Sequence, residues 1–315
     1  MSLPNAFVDT LRLPLVCAPM FLVSGPGLVI EACRSGVVGT FPALNQRDSA
    51  GFEAWLLEVK EALADTPNAA PYGVNLIVHK SNPRLQADLE LCVKHQVPLV
   101  ITSLGAVSEV VDAVHSYGGV VFHDVINVRH AEKAAQAGVD GLIAVCAGAG
   151  GHAGTLSPFA LVPEIRQFFH KTVLLAGSLS RGSDILATKV LGADLAYMGT
   201  RFINTQESLA DARYKSMIAN SRAADVVYTE KVSGVNANFL LPSLEVAGVD
   251  LAAVRESTDV DFGEELDAAK AWKDIWSAGQ GVGSIDDVPS VADLVARLEQ
   301  EYMAACAAID TGEQA

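Results

Sequence analysis

Short runs of apolar, often β-branched residues recur along the chain, and an Ala-rich or charged segment separates each run from the next. Apolar runs between turn-forming residues predict buried strands, and the longer amphipathic segments between them predict helices. The eight predicted strands are residues 15–18, 37–40, 72–76, 98–102, 119–125, 141–145, 172–176 and 194–198. Regular alternation of strands and helices is typical of a parallel sheet that helices cover.

The segments between the predicted strands have the pattern and the endings of helices. The predicted helices are residues 27–35, 52–65, 83–95, 107–117, 128–137, 157–169 and 183–191. Gly36, Gly138 and Gly192 each follow such a segment shortly before a strand, where glycine accommodates the left-handed conformation that ends many helices. An open doubly wound sheet would use the same junctions, but eight strand–helix units favour a closed (β/α)₈ TIM barrel of the α/β class.

The pattern changes after the eighth predicted strand. Residues 207–220 have the pattern of a helix, residues 228–241 are polar and rich in Asn, and residues 251–278 have the pattern of a charged helix. Such barrels often exceed 250 residues as one domain, so the length does not require a second core. The predicted parts are a barrel in residues 1–215, a small helical cap inserted after strand 8 in residues 216–284, and a closing helix packed on the barrel in residues 285–315.

The composition narrows the function classes. A formal net charge of −15 argues against nucleic acid or an anionic membrane as the partner, because both would be repelled. The five cysteines form no CxxC pair, which is typical of reduced thiols in a cytosolic protein and does not indicate a metal site. We expect a cytoplasmic protein without signal peptide or membrane span that acts on a small molecule; a homo-oligomer is compatible with the sequence.

The most informative segment is the glycine-rich loop after the sixth predicted strand, residues 147–154. Active sites of these barrels lie at the carboxyl ends of the strands, and glycines allow a backbone to approach a flat ligand closely. Gly150 and Gly151 precede His152, and the loop has no other polar side chain before Thr155. Since this loop offers an imidazole little packing, His152 is predicted to act in catalysis.

The turns after the seventh and eighth strands predict a phosphate site. In these barrels the two turns commonly bind phosphate through backbone N–H groups and small hydroxyl residues. The residues concerned are Ala176, Gly177, Ser178, Met198, Gly199 and Thr200.

Other side chains at the same face suit a flat ring. Pro19 ends the first strand after Ala18, and it directs the soft side chain of Met20 over the mouth. Asn75, Thr102 and Ser103 supply hydrogen-bonding groups among apolar residues, as the edge of a heterocycle requires. Together these features describe a flat heteroaromatic ring that carries a phosphate ester.

The sequence resembles the nitronate monooxygenases, formerly called 2-nitropropane dioxygenases, which are FMN-dependent TIM-barrel enzymes. The resemblance runs from the Ala-Pro-Met turn at Met20 to the Trp-Ser-Ala-Gly-Gln-Gly segment around Gln280. Its most specific motifs are Gly-Gly-His, ending at His152, and Met-Gly-Thr-Arg-Phe, which contains Thr200.

This resemblance implies FMN, with its phosphate near the turns after strands seven and eight and its ring beside the His152 loop. The implied FMN contacts are Ala18, Pro19, Met20, Asn75, Thr102, Asp124, Gly150, Gly151, Ala176, Gly177, Ser178, Met198, Gly199, Thr200 and Gln280. The implied reaction is the oxidation of alkyl nitronates, such as propionate 3-nitronate, by dioxygen to a carbonyl compound and nitrite. His152 would act as a base or as an electrostatic partner of the nitronate.

Two features depart from the family pattern. Asp124 follows His123 where related sequences often place a Lys, so a carboxylate replaces a cation near the implied ring. It should disfavour an anionic substrate unless His123 or Arg201 compensates. The loop also carries Ala149 before the Gly-Gly-His motif, in a stretch where many relatives have an acidic residue.

Several alternatives remain open on the sequence. The scaffold also resembles flavin-dependent enoyl-acyl-carrier-protein reductases and NADH:quinone reductases, which would use NAD(P)H to reduce quinones or enoyl thioesters. A non-catalytic FMN-binding protein could use the same phosphate turns, whereas a phosphosugar isomerase should show more carboxylates or lysines at the strand ends. Asn236 and Asn238, in the cap, are predicted to contact the substrate.

Overall fold

The computed structural model describes residues 3–105, 108–232, 234–249 and 275–311. The barrel strands are β1 (Leu15–Cys17), β2 (Val38–Pro42), β3 (Tyr72–Ile77), β4 (Leu99–Ser103), β5 (Val120–Val125), β6 (Gly141–Val145), β8 (Thr172–Ala176) and β9 (Leu195–Met198), while β7 (Gly151–His152) lies in the loop after β6. The helices around them are α1 (Asn5–Val8), α2 (Pro26–Arg34), α3 (Ser49–Ala64), α4 (Leu85–His95), α5 (Ser108–His115), α6 (Val128–Gln136), α7 (Pro158–Arg166) and α8 (Gly182–Leu191).

The eight parallel strands form a closed barrel in chain order, because β1 pairs with both β2 and β9. This confirms the predicted α/β barrel, and the ends of the eight strands differ from the predicted ends by two residues or fewer. The predicted seventh and eighth strands are β8 and β9. The short strand β7 was not predicted.

Side chains alternate between the inside of the barrel and the helical layer outside it. The inner core contains Ile101, Phe122, Ile143, Leu174 and Leu195, which lie on five different strands and are fully buried. The outward-facing residues form a larger apolar cluster with the surrounding helices. Burial of an apolar side chain of this size stabilises the fold by about 1.5–3 kcal/mol, so both layers of each strand contribute.

After β9 the chain leaves the barrel pattern. It forms α9 (Thr200–Ile203), α10 (Ala212–Ala219), β10 (Val226–Thr229), β11 (Ala237–Leu240) and α11 (Leu241–Val246). Strands β10 and β11 form an antiparallel sheet with β7, which binds this segment to the loop that carries His152.

The segment predicted as a helical cap therefore contributes two strands as well as helices. Its strands are short, and three of the four residues of β10 are only partly buried or exposed, so the sequence lacks the apolar run that predicted the barrel strands. The predicted helix at residues 251–278 lies mostly outside the described residues.

The last described helix, α12 (Val291–Thr311), packs against α8 and α2. Gly182 at the start of α8 allows a close approach, since a Cβ there would clash with the carbonyl oxygen of Leu298. Within the described residues, no helix is long and apolar enough to span a bilayer. The five cysteines form no disulfide, as predicted.

Candidate active site

The glycine-rich loop after β6 lies over the carboxyl ends of the strands. Ala149 and Ala153 pack onto the inner core of the barrel. Gly148 has a φ of +82°, and a Cβ there would clash with Ser178 Oγ and lie 2.9 Å from Gln280 Oε1. Both conformation and space therefore require glycine at this position.

The turns after β8 and β9 expose unused backbone donors. Gly177 and Ser178 have φ values of +133° and +58°, and Ser178 N donates to Gly148 O at 3.3 Å. Within the described part of the chain, the N–H groups of Gly177, Gly199 and Thr200 make no hydrogen bond. Strands β8 and β9 are neighbours, so these donors lie on adjacent turns and suit an anion such as a phosphate.

Residues 279–280, near the end of the cap and called the strap below, connect these turns to the glycine loop. Gly279 N donates to Thr200 Oγ1 at 2.9 Å, and Gln280 N donates to Gly148 O at 2.8 Å. A Cβ at Gly150 would lie 2.8 Å from Gly279 N and 3.2 Å from Thr200 Oγ1. The structure thus brings together the predicted site residues of the loop, the two turns and the strap.

His152 is held by a small sheet. Its partner in β11 is Ala237, and Ala237 is paired in turn with Thr229 of β10. The residue is exposed, yet the surrounding protein withdraws part of its hydration, and this desolvation lowers the pKa of His152 below its usual range. The neutral imidazole is therefore the favoured form at neutral pH.

One face of the small sheet is apolar. Ala237 and Phe239 are fully buried on this face, where they pack with Leu244 and Ile275. Since residues paired across strands share a face, His152 lies on the same side as Ala237. The imidazole thus lies at the edge of an apolar wall.

The opposite face of the small sheet binds the loop. Asn238 is 3% exposed, and its Nδ2 donates to Ala149 O at 2.6 Å. Tyr228 Oη donates to Ala153 O at 3.1 Å. Asn238 was predicted to contact substrate, and in the structure its amide hydrogen bonds to the backbone of the loop.

Of two further cap residues, Ser277 adds hydrogen bonds to this arrangement and Asn236 does not. Ser277 Oγ accepts from Gly151 N at 2.7 Å and donates to the carbonyl oxygen of Asn238. Ser277 belongs to the Trp-Ser-Ala-Gly-Gln-Gly segment of the resemblance, but sequence reasoning gave it no role, because its partners are distant in the chain. Asn236, predicted as a second substrate contact, is exposed, and its Nδ2 lies 3.5 Å from Glu230 Oε2.

A polar row runs across three strands at the top of the barrel interior. It consists of Asn75, Ser103 and Asp124, which share their faces with inner-core residues. Asn75 Nδ2 donates to Ser103 Oγ at 2.8 Å, and Ser103 Oγ donates to Asp124 Oδ2 at 2.5 Å. Asp124 Oδ1 is buried and has no partner in the described residues. Burial raises the pKa of Asp124 to about 6, although the Ser103 hydroxyl opposes the shift.

Two predicted contacts face the helical layer instead. Thr102 Oγ1 bonds His123 Nδ1 at 2.7 Å, and the side chain is 2% exposed. Met198 packs in an outer cluster with residues of α2 and α12. The neighbouring residues Ser103 and Tyr197 face the interior. Ser103 was predicted together with Thr102 as a hydrogen-bonding group at this face, whereas sequence reasoning did not select Tyr197.

The first strand contributes close contacts to the β9 turn. A Cβ at Gly199 would lie 3.5 Å from Met20 Sδ and 3.7 Å from Ala18 Cβ. Pro19 stands between these two residues, and Met20 N donates to Ser24 Oγ at 2.9 Å. Ala176 packs in the inner core at the end of β8.

The two cations considered as partners of Asp124 lie elsewhere. Arg201 is 3% exposed, and its Nη2 donates to Asp287 Oδ1 at 2.8 Å. His123 faces the outer layer, and burial lowers its pKa to about 4. Neither therefore neutralises Asp124.

Comparison with known proteins agrees with this architecture. The chain is 25% identical to a nitronate monooxygenase of Paraburkholderia phytofirmans, over 91% of this chain and 92% of that protein. It is 24% identical to the (3aS,4S,5R,7aS)-5-hydroxy-7a-methyl-1-oxo-octahydro-1H-indene-4-carboxyl-CoA dehydrogenase of Rhodococcus jostii, over 90% of each chain. FabK from Thermotoga maritima has a similar fold, with a TM-score of 0.82, 22% identity and 96% coverage of both chains.

The sequence model of one family matches most of the chain. Its description is nitronate monooxygenase, and the match spans residues 50–301, from α3 to α12. The matched region includes the glycine loop, the turns after β8 and β9 and the strap. This chain belongs to the nitronate monooxygenase family of flavin-dependent oxidoreductases.

Proposed function

We propose that the protein uses FMN to oxidise alkyl nitronates with dioxygen, giving a carbonyl compound and nitrite. Two features together carry this proposal. His152 is neutral and lies beside an apolar wall. Three unused N–H donors lie in the turns after β8 and β9, which contact the glycine loop. A small anionic substrate such as propionate 3-nitronate and dioxygen would be the reacting partners.

The residues at the two turns fit the phosphate of FMN. Gly177, Gly199 and Thr200 supply N–H donors that nothing else in the described part of the chain uses. The absence of side chains at Gly148 and Gly150 lets the loop pack closely against Ser178 and Thr200 of these turns. When bound, FMN supplies the electron transfer, taking electrons from the substrate and passing them to dioxygen.

His152 is suited to proton transfer. Desolvation lowers its pKa, so the imidazole is neutral at pH 7 and has an unprotonated nitrogen. We infer that it removes the α-proton of a neutral nitroalkane, giving the nitronate that is then oxidised. With a preformed nitronate the same ring serves as a hydrogen-bond donor to the nitronate oxygens.

The apolar wall beside His152 limits water near the reacting carbon. Phe239, Leu244 and Ile275 hold no hydrogen-bonding side-chain group, and they lie on the face of the small sheet that carries His152. A site with less water strengthens the interaction of His152 with a charged substrate.

A second candidate is an oxidoreductase that acts on a thioester and uses a nicotinamide. Two observations favour it: Asp124 stands near the ring site without a neutralising cation, and the wall beside His152 is apolar. A carboxylate disfavours an anionic nitronate, whereas it does not repel an uncharged enoyl or acyl group. The relative from Rhodococcus jostii is named a carboxyl-CoA dehydrogenase.

Anaerobic visible spectra separate the two candidates. The purified protein, loaded with FMN, is mixed without oxygen with propionate 3-nitronate and, separately, with NADH and NADPH. Loss of the oxidised flavin bands with the nitronate, and no change with the nicotinamides, is the result we expect. Bleaching by NADH or NADPH alone would assign the protein to the reductases. A chain that cannot bind FMN would contradict both.

A further inference from the structure

The carboxyl group of Asp124, inside the barrel mouth, is an acid–base group that the proposed reaction does not use. Its Oδ1 atom is buried without a partner among the described residues, although an ionised carboxylate oxygen normally accepts hydrogen bonds. Such an orphaned atom destabilises the folded protein unless a ligand or a proton satisfies it. It lies on the interior face near the carboxyl end of β5, two residues after Phe122, and this end of the barrel carries the glycine loop and the two turns.

The polar row fixes which oxygen of Asp124 can carry a proton. Asn75 Nδ2 donates to Ser103 Oγ, so the hydroxyl hydrogen of Ser103 points away from Asn75 and towards Asp124 Oδ2. Oδ2 is therefore occupied as an acceptor. A proton on the carboxyl group belongs on Oδ1, which is the atom without a partner.

The surroundings favour the protonated carboxyl group. The groups that face Asp124 from β3 and β4 are the neutral side chains of Asn75 and Ser103, β6 presents Val145, and the titratable group across the barrel is Tyr197. No cation in the described part of the chain contributes to the shift that raises the pKa of Asp124 to about 6. A flat ligand above the row would remove the remaining water and disfavour the charged form further.

We propose that Asp124 is a proton donor to the bound ring, with Oδ1 carrying the proton and donating a hydrogen bond to an acceptor atom of the flavin. This inference rests on the proposed use of FMN but not on the identity of the oxidised substrate. It also removes the conflict between a buried carboxylate and an anionic substrate, because the carboxyl group stays neutral while FMN is bound.

The direct test is the ¹³C NMR titration of the Asp124 carboxyl carbon in the apoprotein and in the FMN complex. Asp124→Asn assigns the signal, and Asp112→Asn, at an exposed position on α5, is the matched control. We expect FMN to raise the Asp124 midpoint by about one pH unit or more, since donation to the ring favours the protonated form. A midpoint that stays the same or falls on FMN binding overturns the inference, because the carboxylate would then act as an acceptor or lie apart from the ring.

The affinity for FMN provides an independent readout. If binding requires a protonated Asp124, the dissociation constant should increase by up to about tenfold per pH unit above the apoprotein midpoint. Asp124→Asn should bind FMN without this pH dependence, and Asp112→Asn should retain it. An equal pH dependence in the wild type and Asp124→Asn overturns the inference.

These measurements separate the inference from the proposed function. A failure to bind FMN contradicts both, whereas FMN binding with an unchanged Asp124 midpoint contradicts only the inference. Bound FMN with a raised midpoint but no oxidation of nitronates supports the role of Asp124 and contradicts only the proposed reaction. Ser103→Ala adds a positioning test: loss of its hydrogen bond should raise the Asp124 midpoint in the apoprotein, because that bond lowers the pKa.

Discussion

Asn238 donates a hydrogen bond of 2.6 Å from its side-chain amide to the carbonyl oxygen of Ala149, which joins the cap to the loop that carries His152. Both groups are buried, so the bond holds the loop at a fixed distance from β11. The cap thereby determines where the imidazole lies relative to the barrel mouth.

Loss of this bond should displace the loop without unfolding the barrel. Asn238→Asp replaces the donor by a carboxylate that repels Ala149 O, so we expect turnover to fall at least about tenfold, since a buried unsatisfied carbonyl costs roughly 1–3 kcal/mol. Steady-state kinetics and circular dichroism measure the two effects. Asn68→Asp, at an exposed turn, is the control and should leave both unchanged; equal behaviour of the two variants would contradict the role of Asn238.

Gly148 should be indispensable for cofactor binding. Gly148→Ala places a Cβ against Ser178 Oγ and Gln280 and also strains the backbone at a φ of +82°. Gly118→Ala is the matched control, because Gly118 has a φ of +85° and open space around it. Both variants should lose about 1 kcal/mol or more of stability through backbone strain. Only Gly148→Ala should weaken FMN binding in a fluorescence titration, and equal FMN affinity in the two variants would rule out the close packing argued for the loop.

Substitution of His152 should slow the turnover of neutral nitroalkanes far more than the turnover of nitronates. His152→Asn removes the base, so we expect turnover of a neutral nitroalkane to fall by about 10²- to 10⁴-fold while FMN stays bound. A preformed nitronate has already lost its proton and should react with a smaller loss. His170→Asn, at an exposed position, is the control. Loss of flavin from His152→Asn would instead show that the residue is structural.

The pH dependence of the rate should reveal the lowered pKa of the desolvated His152. Since the neutral imidazole is the base, the rate with a neutral nitroalkane should decrease as the pH falls through the pKa of His152, and this acid limb should lie below the usual histidine value of about 6.5. The profile of kcat/KM measures it. An acid limb above neutral pH would contradict the lowered pKa.

The stability of the apoprotein should respond to Asp124 in a defined pH window. The folded pKa of about 6 lies above the usual value of the unfolded chain, so the carboxyl group costs no ionisation energy at pH 4 and destabilises the fold as the pH rises through 6. Asp124→Asn should therefore raise the free energy of unfolding by roughly 1–3 kcal/mol at pH 7 and by little at pH 4. Denaturant titrations at both values measure it, and an equal effect at both would contradict the raised pKa.

The barrel could be predicted because its strands are buried on both faces. Runs such as Gly141–Val145 and Thr172–Ala176 are buried throughout and almost entirely apolar, and both have the predicted bounds. Because both faces of each strand are buried, the sequence does not show which of its residues face the inside of the barrel. In β4 the sequence Leu-Val-Ile-Thr-Ser offers no polar–apolar alternation, so Thr102 was predicted beside Ser103 although only Ser103 faces the interior.

The close packing of the glycine loop and the tight turn after β8 were also predictable, because glycine marks both tight turns and close backbone approach. The roles of the cap residues were not. Asn238 and Ser277 act through hydrogen bonds to loop residues 89 and 126 positions away in the chain, and such contacts leave no local pattern. Asp124 was recognised as unusual, but its partner Ser103 and its orphaned oxygen appear only in three dimensions.

We propose above all that the turns after β8 and β9 hold the phosphate of FMN. The most direct measurement compares the affinities of the apoprotein for FMN and for riboflavin, which lacks the phosphate. Three unused N–H donors at Gly177, Gly199 and Thr200 predict that FMN binds at least about 100-fold more tightly, since hydrogen bonds to a charged group contribute about 1.5–3 kcal/mol each. Equal affinities for FMN and riboflavin would contradict a phosphate site at these turns.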